Sequence, residues 1–322
     1  MKTNPRVEML QAALGTGFFA ECISSGEIAA ALAAGFERRA LVYNGPQPLH
    51  RAGLEGPLGV ALADSVAALA GNIGSRVADV QGMRMRPDWH DSRFGISSEQ
   101  TGEAIAALRA LPADASFAVS FHVRAQDYDG RSWLQVARTF LRRAVEIQRL
   151  ADRPIVAFDV GGGWKPAQLE ETLRRELPTF VGEAADALTD LRTIFLEPGQ
   201  SVATPTQFMI SSVLEVRSSG SRVEAVIDAG YPNLPLQGTY AHRVFVEDGE
   251  RWTLLPEGPD RILGPTCLEY DVVASNVSLP PAMRPATQLC IADCGSYDAS
   301  MALHFARGEE RTGLQVSVYS IP

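Results

Sequence analysis

The chain has 322 residues, of which 46% are hydrophobic and 21% charged, so it can bury a large core without a disulfide framework or a structural metal. Its formal net charge of −9 argues against a nucleic-acid binder, which needs a basic face to neutralise phosphates. No signal-peptide pattern, no run of about 18 apolar residues and only four cysteines point to a cytoplasmic protein that makes no contact with a membrane.

Short β-rich segments alternate with helical segments through the first two thirds of the chain, which is typical of a parallel βα sheet. Seven strands are predicted, at residues 18–24, 40–43, 59–63, 78–85, 117–123, 155–160 and 193–196. Helices are predicted at residues 26–34, 98–110, 133–150 and 167–175. Seven strands are one short of a closed (β/α)8 barrel, and we expect the missing first strand to precede Lys2.

The pattern changes after about Thr206, where Val- and Ile-rich segments are separated by Gly, Pro, Asn and Asp. Antiparallel strands are predicted at residues 213–217, 223–228, 243–247 and 315–319. The sequence therefore predicts an α/β protein, with a TIM-type barrel domain at residues 1–206 and a mostly antiparallel β-domain at residues 207–322.

Several polar or glycine-rich segments follow predicted barrel strands, at the ends where βα loops build a barrel's active site. The amides of Gly161, Gly162 and Gly163 could meet an anion at a helix N-terminus, although a tight turn explains three glycines equally well. Glu197 ends the next strand, where a solvent-facing carboxylate is the simpler interpretation. His122 follows an apolar strand, where a core histidine is more common than a catalytic one.

The positions of the cysteines do not by themselves indicate a catalytic or metal-binding role. Cys267 lies in a turn between segments of the β-domain, where a small buried apolar residue is more usual than a nucleophile. Cys290 and Cys294 have neither the spacing of zinc ligands nor that of a redox pair, so they are interpreted as packing residues and no metal is expected.

Motifs along nearly the whole chain match one family in order. They are Lys2-Thr3-Asn4-Pro5, residues 21–27, 83–85, 92–95, 121–123, 159–163, 197–199 and 228–230, Gly264-Pro265-Thr266-Cys267 with Asp271, and residues 293–297. In this order, Gly-Gly-Gly, Glu-Pro-Gly and Gly-Pro-x-Cys are highly specific. The chain resembles the fold-type-III pyridoxal-phosphate amino-acid decarboxylases, which include ornithine and diaminopimelate decarboxylases.

The resemblance implies a site for pyridoxal 5′-phosphate. Lys2 would bind the cofactor aldehyde covalently, and Glu197 would keep the pyridine nitrogen protonated so that the ring accepts electrons. His122 would stack on the ring face. The phosphate would be met by residues from several segments, namely Gly161, Gly162, Gly163, Gly199, Gln200 and Tyr297.

The resemblance also implies a homodimer whose active sites are shared between the subunits. Cys267 of one subunit would protonate the α-carbon of the amino-acid substrate in the other subunit's site, while Asp271 and Glu269 would contact the substrate. Charged residues on neighbouring strands would hold the lysine and the cofactor in position, namely Glu21, Glu27 and Arg84.

The chain departs from the family at some of these positions. Gln200 stands where the family has an arginine, and we expect Arg124 to supply that charge from another strand. Leu268 replaces an acidic residue, and residues 230–235 lack the arginine of the diaminopimelate enzymes, so diaminopimelate is disfavoured. Family members have more residues before their lysine, and we therefore expect Met1 to be an internal methionine of a longer protein.

Two other functions are compatible with the same motifs. A catalytically inactive homologue that serves as a dimerising or regulatory partner would explain Gln200, but the joint presence of Lys2, His122, Glu197 and Cys267 argues against it. A racemase would use the same cofactor on the same fold, which does not fix the reaction by itself. The Gly-Pro-Thr-Cys turn favours decarboxylation.

Overall fold

The structure is a computed structural model that describes residues 1–52, 55–303 and 305. It divides into two compact units, Met1–Val202 and Ala203–Pro322. Within the described ranges, no helix is both long enough and apolar enough to cross a membrane.

Seven parallel strands form one sheet in the first unit, and their order in the sheet is their order in the sequence. They are β1 (Ala20–Cys22), β2 (Leu41–Tyr43), β3 (Leu58–Ala63), β4 (Ala78–Arg84), β5 (Phe117–Ser120), β6 (Ile155–Gly162) and β7 (Thr193–Glu197). The two outer strands approach each other next to Phe19 and Phe195, whose ring centroids lie 5.3 Å apart. The sheet is therefore a nearly closed barrel, as the sequence predicted.

Helices precede, connect and follow the strands of this barrel. They are α1 (Val7–Gly15), α2 (Ser25–Ala33), α3 (Val66–Ser75), α4 (Thr101–Arg109), α5 (Trp133–Ala151), α6 (Pro166–Glu171), α7 (Leu177–Ala187) and α8 (Gly199–Ala203). Short 3₁₀ turns lie at Arg38–Ala40, Leu49–Arg51, Ala125–Asp127 and Thr204–Thr206.

Helix α5 anchors the end of β5, from which His122 projects. The helix begins with a capping box between Ser132 and Gln135, an arrangement that stabilises a helix by about 1 kcal/mol. Phe140 on its buried face stacks on Phe121, with ring centroids 4.4 Å apart. Because Phe121 directly precedes His122, this packing fixes the position of the histidine.

The predicted helix at residues 167–175 differs from the observed structure. Helix α6 continues through a π-helical segment, Thr172–Glu176, into α7, so that one helical stretch covers the whole connection. Pro178 explains the wide turn, because it has no N–H to donate to the carbonyl of Arg174 four residues earlier.

The second unit contains a seven-stranded sheet in the order β11-β10-β14-β8-β9-β12-β13. Its elements are β8 (Met209–Ser219), β9 (Arg222–Ile227), β10 (Val244–Asp248), β11 (Arg251–Leu254), β12 (Glu257–Leu263), β13 (Val272–Val277), β14 (Gln288–Ile291) and α9 (Asp298–Met301). Every neighbouring pair is antiparallel except β9 and β12. This confirms the mostly antiparallel domain, while the predicted strand at residues 315–319 lies outside the described residues.

Candidate active site

Charged side chains from several segments meet at the carboxyl ends of the barrel strands, and we call them the charged cluster. Glu21 lies on β1, Asp159 on β6 and Glu197 at the end of β7, while His122 follows β5 and Lys2 precedes α1. Asp159 is only 2% exposed, and the side chain of Glu197 is 7% exposed. The structure therefore brings together three of the residues that the sequence placed at the cofactor, Lys2, His122 and Glu197.

Glu197 is held by donors from two other strand ends. The Asn44 side-chain amide donates to Oε1 over 2.8 Å, and Nδ1 of His122, assigned as the protonated ring nitrogen, lies 3.0 Å from Oε2. Burial raises the pKa of Glu197, but the charge and hydrogen bond of His122 and the charges of Lys2 and Arg84 outweigh it and lower the pKa well below its usual range. Glu197 is therefore an ionised carboxylate.

Lys2 lies beside a second carboxylate. Its Nζ is 3.4 Å from Oε1 of Glu21, and the turn that carries it is closed by a hydrogen bond from the Asn4 amide to the Met1 carbonyl. Burial and the charge of Glu197 raise the pKa of Glu21, while the charge of Lys2 acts in the opposite direction. The charge of the amine therefore acts on both carboxyl groups, Glu21 and Glu197.

The glycine run adopts a tight turn at the end of β6. Gly161 and Gly163 have φ angles of +68° and +87°, and the Gly161 amide donates to Oδ1 of Asp159 over 2.8 Å. A Cβ at Gly162 would overlap the carbonyl oxygen of Glu197, and one at Gly163 would lie 3.7 Å from Nε2 of His122. Backbone conformation therefore favours glycine at 161 and 163, and packing excludes a side chain at 161 and 162.

The structure also locates the other residues of the first unit that the resemblance placed at the cofactor. Arg124 donates from Nε to Asp127 over 2.7 Å, and its side chain is 58% exposed. Gly199 begins α8 and is followed by Gln200, and a Cβ at Gly199 would lie 2.7 Å from the Thr3 hydroxyl. Arg84 donates to the carbonyl of His122 over 3.4 Å.

Glu27 has a different role from the expected one. Its Oε2 accepts a hydrogen bond from the amide of Ile23 over 2.7 Å, and its own amide donates to the Ser24 hydroxyl. These reciprocal bonds cap the first turn of α2. Glu27 therefore fixes the start of a helix and is not directed at Lys2.

Three predicted residues of the second unit, Cys267, Glu269 and Asp271, lie in the turn between β12 and β13. Cys267 and Glu269 are exposed, whereas Asp271 is 3% exposed. The Asp271 carboxylate accepts hydrogen bonds from four donors, the amide of Tyr231, the side chain of Gln237, and the amide and hydroxyl of Thr266. These contacts assign Asp271 to holding the turn, in contrast to the expected contact with substrate.

Tyr297 has an unusual backbone conformation in the second unit. Its φ angle of +67° is uncommon for a residue with a large side chain, and such outliers cluster at functional sites. The ring stacks on that of Tyr240 with centroids 6.4 Å apart. The next residue, Asp298, accepts a hydrogen bond from Nε2 of the buried His242 over 2.9 Å.

Two residues were not singled out from the sequence: Asn44, which donates to the charged cluster, and Asp159, which belongs to it. Asn44 directly follows β2, and Gly45 is required after it because a Cβ there would overlap the carbonyl oxygen of Ile23. The Asn-Gly pair at the end of a barrel strand is the sequence feature from which Asn44 could have been predicted as a site residue. Asp159 belonged to a recognised motif, but nothing in the motif indicates that it is buried against another acid.

Comparisons with known proteins identify the family of the chain. A family described as pyridoxal-dependent decarboxylase, C-terminal sheet domain, matches residues 41–295, which is more than half of the chain. Diaminopimelate decarboxylase of Archaeoglobus fulgidus is 26% identical over 338 residues, which cover 95% of this chain and 78% of the relative. Diaminopimelate decarboxylase of Deinococcus radiodurans is 27% identical over 323 residues, which cover 94% of this chain and 78% of the relative.

Solved structures share the fold. Diaminopimelate decarboxylase of Helicobacter pylori, complexed with L-lysine, has a TM-score of 0.74 at 22% identity, covering 94% of this chain and 80% of that one. Arginine decarboxylase of Paramecium bursaria Chlorella virus has a TM-score of 0.76 at 17% identity, covering 94% of this chain and 84% of that one. The chain belongs to the pyridoxal-dependent decarboxylase family and is an amino-acid decarboxylase that uses pyridoxal phosphate.

Proposed function

We propose that this chain removes the α-carboxylate of an amino acid at the charged cluster, with Lys2 as the residue that binds the cofactor aldehyde. One observation carries the proposal. The Lys2 amine lies 3.4 Å from Glu21, and its charge acts on the buried, ionised Glu197. An amine and a permanent carboxylate are thereby present together at the strand ends of one barrel, where barrel enzymes act.

The residues of the cluster fit pyridoxal phosphate. A protonated pyridine nitrogen requires a carboxylate that stays ionised, and Glu197 meets this requirement because His122 and Asn44 both donate to it. The bound cofactor would supply the electron-withdrawing ring on which the loss of carbon dioxide depends.

The side chains of this chain would bind, orient and protonate. Glu197 would keep the ring nitrogen charged, and His122, whose neighbour Phe121 stacks on Phe140 of α5, would keep Glu197 in place. After carbon dioxide leaves, one proton must replace the carboxylate on the α-carbon. We assign this proton to the thiol of Cys267, which is exposed in its turn.

The substrate is proposed from the relatives. The relatives from Archaeoglobus fulgidus and Deinococcus radiodurans are diaminopimelate decarboxylases, so diaminopimelate is the first amino acid to test. Leu268 and residues 230–235, which depart from the family pattern, would act on the far end of the substrate and not on the reacting carbon. Ornithine, lysine and arginine, which carry a distal cation without a carboxylate, are the comparison set.

Covalent attachment of the cofactor is a direct test, because the chain has only two lysines, Lys2 and Lys165. Reduction with borohydride in the presence of cofactor, followed by peptide mapping, is expected to label Lys2. The visible absorbance of bound cofactor should be lost in Lys2→Ala and kept in Lys165→Ala, the matched control. Labelling of Lys165 alone would overturn the assignment.

Carbon dioxide release from the four amino acids identifies the reaction. Release with one of them supports a decarboxylase, whereas inversion of the α-carbon without release would favour a racemase. Cofactor binding with neither reaction would favour the inactive homologue.

We also propose a homodimer in which Cys267 acts in the site of the other subunit. Mixing Lys2→Ala with Cys267→Ala, each inactive alone, should restore about one quarter of wild-type activity if the subunits exchange at random. No recovery in a mixture shown by native mass spectrometry to contain mixed dimers would contradict shared sites.

A further inference from the structure

Three potential metal ligands lie together in the second unit, and we call them the His-Cys-Asp cluster. One ring nitrogen of His242, Sγ of Cys294 and one carboxylate oxygen of Asp298 all lie within 4.8 Å of one another. Nε2 of His242 is 2.9 Å from Oδ2 of Asp298, and these two side chains are 2% and 4% exposed. Cys294 is 5% exposed. The ligand atoms of one zinc ion lie roughly 3 to 4 Å apart, so the cluster is close to the size that a single ion requires.

Two paired strands bring the first two of these ligands together. His242 precedes β10 and Cys294 follows β14, and the two strands are antiparallel neighbours. The pairing continues past the strand ends, because the amide of Ala292 donates to the carbonyl of Arg243 over 2.8 Å. Arg243 also forms a two-fold ion pair with Asp293, with distances of 2.7 and 2.8 Å. The backbone therefore holds the histidine and the cysteine near each other without an ion.

Polar atoms of the His-Cys-Asp cluster are buried without hydrogen-bond partners. Within the part of the chain that the structure describes, Oδ1 of Asp298 and Nδ1 of His242 have none. Buried polar atoms usually have a partner, and an exception can mark the place of an ion. Sγ of Cys294 donates to the carbonyl of Ile291 over 3.1 Å, so the thiol carries a proton that a metal would displace. A metal bound to Asp298 would give its carboxylate a further partner.

The types of ligand favour zinc over other ions. Imidazole nitrogen, thiolate and carboxylate are all zinc ligands in proteins, whereas calcium and magnesium take oxygen ligands. A deprotonated Cys294 and an ionised Asp298 carry two negative charges, which balance the two positive charges of Zn²⁺. The ion could therefore be buried without a net charge, which would be costly in a protein interior. Three protein ligands leave one position of a tetrahedral zinc ion for a water molecule.

We propose that His242, Cys294 and Asp298 bind one zinc ion in the second unit. Binding would release the thiol proton of Cys294 to solvent. It would also replace the hydrogen bond between His242 and Asp298 with two bonds to the ion, and the imidazole would keep its proton on the other ring nitrogen. The spacing of the cysteines predicted no metal, because two of the three ligands are not cysteines. The proposed site does not depend on the proposed function.

Zinc binding by the full chain is the direct test. Protein that has been stripped with a chelator and dialysed against zinc should retain one zinc ion per chain, measured by plasma mass spectrometry. Cys294→Ser should weaken binding by about 100-fold or more, because losing a residue that only positions a ligand already costs about 10- to 100-fold. Cys290→Ser, the matched control on β14, should bind zinc like the wild type. No zinc in the wild type, or equal binding in Cys294→Ser, would overturn the proposal.

Cobalt substitution identifies the ligands. Co²⁺ bound to the wild type should show the charge-transfer absorbance of a thiolate ligand, which should be absent from Cys294→Ser and present in Cys290→Ser. A band that persists in Cys294→Ser or is lost in Cys290→Ser would assign the metal to another cysteine and overturn the proposal.

A third variant keeps the test decisive if Cys294→Ser fails to fold, as judged by circular dichroism. Asp298→Asn keeps the shape of the side chain and removes its charge. We expect it to bind zinc about tenfold or more weakly, while its cobalt form at saturating metal keeps the thiolate band. Zinc affinity equal to that of the wild type would exclude Asp298 as a ligand and overturn the proposed site.

Discussion

Nδ1 of His122 lies 3.0 Å from Oε2 of Glu197, and this contact joins the ends of two barrel strands that are not neighbours. The histidine is fixed from behind by the stacking of Phe121 on Phe140. The orientation of a buried acid is thus coupled to the packing of α5. We expect changes in the charge of Glu197 to affect the reaction more than they affect the fold.

Replacing Glu197 with Gln tests this charge. A neutral amide cannot balance a protonated ring nitrogen, and we expect kcat to fall by about 100-fold or more while the protein stays folded. Steady-state kinetics with the amino acid identified above give kcat and KM separately. Glu170→Gln, on the exposed face of α6, should leave both unchanged. A Glu197→Gln variant with wild-type kcat would show that the charge is not needed.

Glu21→Gln is expected to stabilise the protein at neutral pH. The pKa of Glu21 is raised in the folded state by burial and by Glu197, so its ionised form opposes folding once the pH exceeds its ordinary value of 4.5. The amide removes this cost, and the free energy of unfolding should rise by about 1 kcal/mol at neutral pH. Urea titrations at several pH values should show the gain shrinking as the pH falls towards 4.5. A gain independent of pH would contradict the explanation.

Gly162→Ala is expected to be strongly destabilising. The new Cβ would overlap the carbonyl oxygen of Glu197, which belongs to the backbone and cannot rotate away, so we expect a loss of about 3 kcal/mol. Gly182→Ala is the matched control, because it lies in α7 with nothing within 4 Å of the new Cβ. This variant should gain about 0.5 to 1 kcal/mol. Equal effects in thermal unfolding would refute the close approach of β6 and β7.

Asp271→Ala separates a structural role from substrate binding. Four donors would lose their acceptor, and we expect a loss of about 2 to 4 kcal/mol in the free energy of unfolding. Glu269→Ala, exposed in the same turn, should change stability by less than about 0.5 kcal/mol. Unchanged stability of Asp271→Ala together with a raised KM would instead support the expected contact with substrate.

The barrel could be predicted from the sequence because its strands are continuous apolar runs. Strands such as β3 and β6 are buried along their whole length, and burial on both faces leaves this pattern. Helices α1 and α3 were not predicted. Two glycines within α3 lower its helix propensity, and a single capping serine, Ser65, does not by itself indicate where a helix begins.

The candidate site was predicted in part. Lys2, His122 and Glu197 belong to motifs that occur in the order of the family, and the resemblance to that family predicted that they share one site. The contact of Asn44 with Glu197 depends on which strand ends meet in space, which a single sequence does not indicate. For Asp271, the same motif fits either an exposed or a buried acid, and only the four donors around it distinguish the two.

The pairing of Gly162 with Glu197 in the β6–β7 ladder has a consequence for which molecules the proposed site can hold. The distance from the backbone of Glu197 to the glycine turn is set by two adjoining main chains. We therefore expect substitutions at the residues that contact the substrate to change which amino acid is accepted. A pyridoxal phosphate analogue with a longer phosphate arm should be rejected by all of these variants.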